Sequence, residues 1–236
     1  MSLGIEITLI LFSLVLGIAL VTRDLYKSNA KGAFLIYLFL GAWFGVVILL
    51  ATNNVFTPAK HSPIPVGAAV MIPVVLSVIA IYRIPRLKKL LLSISQQNLI
   101  KMHIARLVGL IFLFYYFQNR LPGIFSMSAA FGDCLVALSA PFVIWAVNRK
   151  KSFAPKVFCI FHLIGLLDFA AAVTLGTLSA EGPQRLIFQS VPSNAIASFP
   201  LVLIPAFGVP VIILTHFISL LKFSEAKKTK SDDLFI

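Results

Sequence analysis

Two carboxylates lie inside stretches of sequence where a carboxylate is expensive. Asp133 follows Gly132 within SMSAAFGDCLVALSAPFVIWAVN, residues 126–148, and Asp168 lies within VFCIFHLIGLLDFAAAVTLGTL, residues 157–178. Both stretches are long and apolar enough to cross a bilayer, where an ionised acid costs at least ~2.5 kcal/mol on insertion scales. Each acid therefore needs a counter-charge, a proton or a water-filled cavity. At ~1.5 Å per helical residue, Asp133 falls roughly 10 Å and Asp168 roughly 15 Å below the same membrane face. The last apolar stretch, FPLVLIPAFGVPVIILTHFISLL, spaces Pro200, Pro205 and Pro210 five residues apart. A proline lacks the backbone donor, so Pro205 and Pro210 are expected to free the carbonyls of Leu201 and Ala206 in that same half. Asp133, Asp168, Pro205 and Pro210 thus define a candidate site for a cation, a cationic solute or a proton relay. The competing reading is a proline-kinked packing helix and two acids held neutral by hydrogen bonds.

A second polar set is expected in the opposite half. Arg106 falls roughly 7 Å, and His162 and His216 each roughly 9 Å, from the other face. Two imidazoles at matched depth could ligate a haem iron, with Arg106 as the charge partner of a propionate. In the alternative, the histidines hydrogen-bond between helices and Arg106 snorkels to the interface. His103, near the interface, and His61, in a loop, are assigned no role. No paired-histidine zinc motif, glycine-rich phosphate loop or Gly-x-Ser-x-Gly elbow is present, so no metal set is expected and an enzyme is unsupported. Retinal needs a lysine in the middle of the last span. Lys222 stands at its end, which argues against retinal. The Pro183-Gln184 pair falls in a loop and is given no weight.

The elements that must position these residues follow from composition. Of 236 residues, 59% are hydrophobic and 12% charged, about half the charge of a soluble domain. The expected fold is all-α, with seven transmembrane helices near Leu3–Thr22, Gly32–Thr52, Ile64–Tyr82, Met102–Asn119, Ser126–Asn148, Val157–Leu178 and Phe199–Leu221. RIPRLKKLLLSISQQNLIK alternates leucines with bases at helical spacing, which predicts an amphipathic helix on the membrane surface over Arg86–Asn98. Glu6 is expected near the interface, and Gly41 and Gly45 form a small-xxx-small pair suited to close helix approach. Cys134 and Cys159 fall near opposite faces as free apolar fillers, with no disulfide between them. The first stretch lacks a basic region and a small-residue cleavage pattern, so it reads as a retained helix.

The net charge is +12, but the bases cluster in short loops, which is a topology signal and excludes a nucleic-acid reading. Sixteen of the 20 Lys and Arg fall in the first, third and fifth loops and the tail. That bias predicts the N-terminus outside and the C-terminus inside, with anionic lipid at the inner face. One transmembrane domain, residues 1–222, and a short cytoplasmic tail, residues 223–236, are expected.

Arg106-Leu-Val-Gly-Leu-Ile-Phe-Leu, Leu121-Pro122-Gly123-Ile-Phe125, Gly132-Asp133, Ala140-Pro141 and Pro200-Leu-Val-Leu-Ile-Pro205 through His216 together resemble an uncharacterised bacterial multi-span inner-membrane family. The resemblance covers about the C-terminal half. It implies the topology and the choice of residues, and it brings no activity with it. Three functions remain open from the sequence: a proton- or cation-coupled small-solute transporter in the inner membrane, a haem-binding redox protein, and a sensor or accessory protein that transports nothing.

Overall fold

The computed structural model describes residues 2–57 and 66–228, and those residues form an all-helical bundle. The elements are α1 (Leu3–Ser28), α2 (Ala30–Thr52), α3 (Val66–Arg83), α4 (Pro85–Leu92), α5 (Gln96–Phe117), α6 (Gly123–Asn148), α7 (Ala154–Ser179) and α8 (Ile204–Lys228). Seven of these, all but α4, are long and apolar enough to cross a membrane. Lys60 and His61 lie outside the described residues, as does the end of the tail.

The region read as one surface helix over Arg86–Asn98 is two elements. α4 stops at Leu92, and Ser95 then caps α5 by accepting a hydrogen bond from the Asn98 N–H at 3.3 Å. The corner between them is tied to α1 by Asp24. Its carboxylate accepts from the Ser95 N–H at 2.9 Å, the Ser95 hydroxyl at 2.6 Å and the Asn98 amide at 2.7 Å. α8 holds the same corner, because Lys222 donates to the Ile94 carbonyl at 2.8 Å and Lys88 pairs with Glu225. Leu87, Leu90 and Leu91 of α4 pack onto the bundle, as the amphipathic spacing requires.

α5 therefore begins six residues before the expected span, and its middle is unusual. Met102–Gly109 is a 3-10 helix between two α-helical pieces. In a 3-10 helix, residues three apart eclipse one another and the rise is ~2.0 Å per residue. His103, Arg106 and Gly109 consequently form one row, and all three are buried. The added turns and the greater rise put Arg106 roughly 17 Å from the start of α5, near mid-span.

The central packing unit is α6 against α7, with the 3-10 stretch of α5 against α6 and α1. Small buried residues on α6, namely Ala129, Ala137 and Ala140, let its neighbours approach. The largest apolar core sits toward the end of the bundle that carries the α7–α8 connection, around Phe112, Tyr115, Phe125 and Phe207. Glu6 is buried beside that core: it is 5% exposed and accepts a 2.6 Å hydrogen bond from the Tyr115 hydroxyl. Gly41 and Gly45 do not seat a neighbouring helix among the described residues. Both are exposed, and a Cβ at either would meet no atom within 4 Å. Both cysteines are free, with Cys134 partly buried and Cys159 exposed rather than a buried filler.

Candidate functional site: a buried arginine between two carboxylates

Arg106, which the sequence assigned either to a haem propionate or to the interface, is 1% exposed and pairs with both acids. Its Nε donates to Asp133 Oδ1 at 2.7 Å, and its Nη2 donates to Asp168 Oδ2. The guanidinium plane lies over the Phe169 ring, with Cζ 4.0 Å from the centroid. Nη1 faces the Gly165 carbonyl and His216 Nε2, each at 3.5 Å. The two polar sets placed at different depths are therefore one cluster, contributed by α5, α6, α7 and α8. The difference in depth lies on α5, whose early start and 3-10 stretch carry Arg106 from near one face to mid-span. A two-acid, one-arginine arrangement speaks to the need identified in the sequence, because both carboxylates pair with the one buried guanidinium.

Three glycines make the approach possible. A Cβ at Gly109 would run into the Asp133 carboxyl, one at Gly132 into the Asp168 carboxyl, and one at Gly165 into the His216 ring. Gly132 therefore serves the acid on the next helix rather than its own neighbour Asp133.

The histidines continue the cluster on the far side of Arg106. Arginine can only donate, so its contact makes His216 Nε2 an acceptor and puts the His216 proton on Nδ1. That N–H donates to His162 Nδ1 at 2.6 Å, and His162 Nε2–H then donates to the Ser219 hydroxyl at 2.8 Å. Arg106, His216, His162 and Ser219 thus form a hydrogen-bond chain with a single direction. His103, given no role from sequence, belongs to this group. It is wholly buried, and its ring centroid lies 3.9 Å from that of His216. The three-residue period His103, Arg106, Gly109 was the available signal, and it becomes visible only with a 3-10 reading of that stretch. His162 and His216, named from sequence as possible haem ligands, face each other directly, Nδ1 to Nδ1 at 2.6 Å.

A cavity of about 240 Å³ leads from the two acids to the α7–α8 connection. Asp133, Asp168 and Phe169 line its closed end, Phe112, Phe125 and Pro205 its walls, and Glu181, Gln184 and Asn194 its rim. Pro183 and Gln184, set aside from sequence, thus stand at its mouth. The rim is clasped by Asn194, which accepts from the Glu181 N–H at 2.9 Å and donates to the Glu181 carboxylate at 2.7 Å. Pro205 lies in a π-helical turn, Ile204–Gly208, closed by a bond from the Val209 N–H to the Ile204 carbonyl. The expected free carbonyl at Leu201 is not free, since the Ile204 N–H donates to it at 3.0 Å. Pro210 is buried farther along α8 and is not among the described residues that line this cavity.

Seven membrane-length helices around a buried ionic cluster define a multi-pass integral membrane protein. The chain belongs to the family described as Domain of unknown function (DUF8737), whose model matches residues 63–223. The match runs from the approach to α3 into α8 and includes every member of the Arg106 cluster. No curated protein matches the chain, and no solved structure does.

Proposed function

We propose that this membrane protein couples a proton or cation to the movement of a small solute, with Asp133 and Asp168 as the coupling groups. The observation that carries the reading is the cavity of about 240 Å³ ending on two carboxylates that share one buried arginine. Such intramembrane ionisable groups beside a cavity are typical of ion and proton pathways. The loop charge bias supports an N-out, C-in orientation in the cell membrane, which makes the α7–α8 rim the outer mouth.

The geometry suggests how coupling works. A cation or proton reaching Asp168 competes with Arg106 for the same oxygens. Arg106 has other acceptors waiting, because its Nη1 already faces the Gly165 carbonyl and His216 Nε2 at the long distance of 3.5 Å. Neutralising an acid therefore lets the guanidinium tighten onto α7 and α8 without losing all its partners. Loading of the cavity is thereby linked to the packing of two of the helices that line it. Pro205 and the π-turn give α8 a place to yield, since such turns interrupt the regular helical ladder.

The test is a stability screen of detergent-solubilised protein against small amines, amino acids, sugars and inorganic cations. A ligand at one hundred times its Kd stabilises by roughly 2.7 kcal/mol. The expected result is a hit among the cationic solutes that disappears when both Asp133→Asn and Asp168→Asn are introduced. A hit that persists in the double variant would place binding elsewhere.

A further inference from the structure

His103 is wholly buried, yet neither of its ring nitrogens has a hydrogen-bond partner among the described residues. A neutral imidazole carries one donor and one acceptor, and buried polar atoms are ordinarily satisfied by protein, water or an ion. Its ring neighbours are two more buried imidazoles, from two other helices. One ligand nitrogen from each of His103, His162 and His216 lies within 4.8 Å of the other two.

We propose that His103, His162 and His216 form a binding site for a divalent first-row metal ion of the zinc, copper or nickel class. Imidazole suits these ions, and three protein ligands with an open fourth position is a recurrent zinc arrangement. A tetrahedral ion bonded at ~2.0–2.1 Å holds its nitrogens ~3.3 Å apart. The present spacings bracket that value: His162 and His216 stand at 2.6 Å, and the whole set lies within 4.8 Å. Opening the first pair and turning His103 inward completes the triangle.

The surroundings are compatible. Gly165 leaves the His216 ring its space, since a Cβ there would strike it. His162 keeps a supporting contact on its far side, with Nε2 at 2.8 Å from the Ser219 hydroxyl, and this holds Nδ1 toward the cluster. Arg106 stands on the other side, with its guanidinium paired to Asp133 and Asp168 and so not presented to the site as a bare cation. Metal on His216 Nδ1 moves the ring proton to Nε2, and Arg106 then exchanges that contact for the Gly165 carbonyl. The ion would also break the His216–His162 hydrogen bond, so metal binding and the hydrogen-bond chain exclude each other.

The site stands independently of any transport activity and is tested without it. Tag-free protein, stripped with chelator in detergent, is titrated with Zn2+, and bound metal is counted after desalting. Co2+ then serves as a spectroscopic probe, because nitrogen ligation in a four-coordinate site gives intense visible bands. The expected result is one ion per chain in the wild type and loss of at least tenfold in affinity in both His103→Phe and His216→Asn. His103→Phe keeps the ring packing, so a folded variant is obtainable; if neither variant folds, the wild-type cobalt spectrum decides alone. No retained ion in the wild type, a six-coordinate cobalt spectrum, or unchanged stoichiometry in a folded variant would overturn the proposal.

Discussion

Replacing Arg106 by glutamine removes the one cation that two buried acids share, and its consequence can be worked from the structure. The arginine side chain is fully buried, and the two carboxylates it serves are 12% and 8% exposed. Removing one partner of a buried ion pair typically costs about 3–5 kcal/mol, because the remaining charge is left in a poor solvent. Two orphaned acids do not double this, since either can take up a proton and the losses in one network are not additive. The expectation is therefore a loss of about 3–5 kcal/mol for Arg106→Gln. By the scaling of soluble domains, that loss lowers Tm by roughly 10 °C. The cause is separable from lost packing by neutralising the acids as well. Arg106→Gln combined with Asp133→Asn and Asp168→Asn should recover most of the stability, because no uncompensated charge remains. Thermal unfolding in detergent, followed by tryptophan fluorescence, measures all of these variants. An Arg106→Gln protein within ~1 kcal/mol of wild type, or a triple variant no better than the single one, would refute the ion-pair account.

Gly132→Ala should be as damaging as loss of an acid, since its Cβ would occupy the Asp168 carboxyl position; the double change Gly132→Ala with Asp168→Ala should melt higher than Gly132→Ala alone. Tyr115→Phe removes the 2.6 Å hydrogen bond to Glu6 and should cost about 1.5–3 kcal/mol in the same melting assay. With Cys134 and Cys159 changed to serine, a cysteine at Glu181 should be labelled by an impermeant maleimide from outside intact cells and one at Lys150 should not. Equal labelling of the two would contradict the orientation.

The apolar periods that make the seven spans were legible in the sequence, because each helix must satisfy its own backbone in hydrocarbon and so declares its length. The two acids were legible for the same reason: Asp133 and Asp168 are costly where they stand, and the structure brings both to one cavity. Their partner was not. Arg106 was misplaced because nothing in Met102–Gly109 announces a 3-10 helix, and a rise of 1.5 Å applied from a late start left it near the interface. The His103, Arg106, Gly109 row is invisible at a period of 3.6 and plain at a period of three. Glu6 was read by its position near a helix end, whereas its environment is set by Tyr115, more than a hundred residues away. Pro205 drew attention for the carbonyl it was expected to release at Leu201, and that carbonyl is bonded to Ile204, while the π-turn that holds Pro205 lines the cavity.

The central claim is that Asp133 and Asp168 exchange protons or cations with the cavity above them. It is tested most directly in proteoliposomes carrying a pH-sensitive and a cation-sensitive dye, with a potassium diffusion potential imposed to drive cations inward. The account predicts lumenal acidification or cation uptake, alone or on addition of the solute found in the binding screen, that is abolished by Asp133→Asn with Asp168→Asn at equal protein density. Flux that is the same in the wild type and the double variant would contradict it, as would a wild type silent to protons, to the inorganic cations and to every solute of the screen.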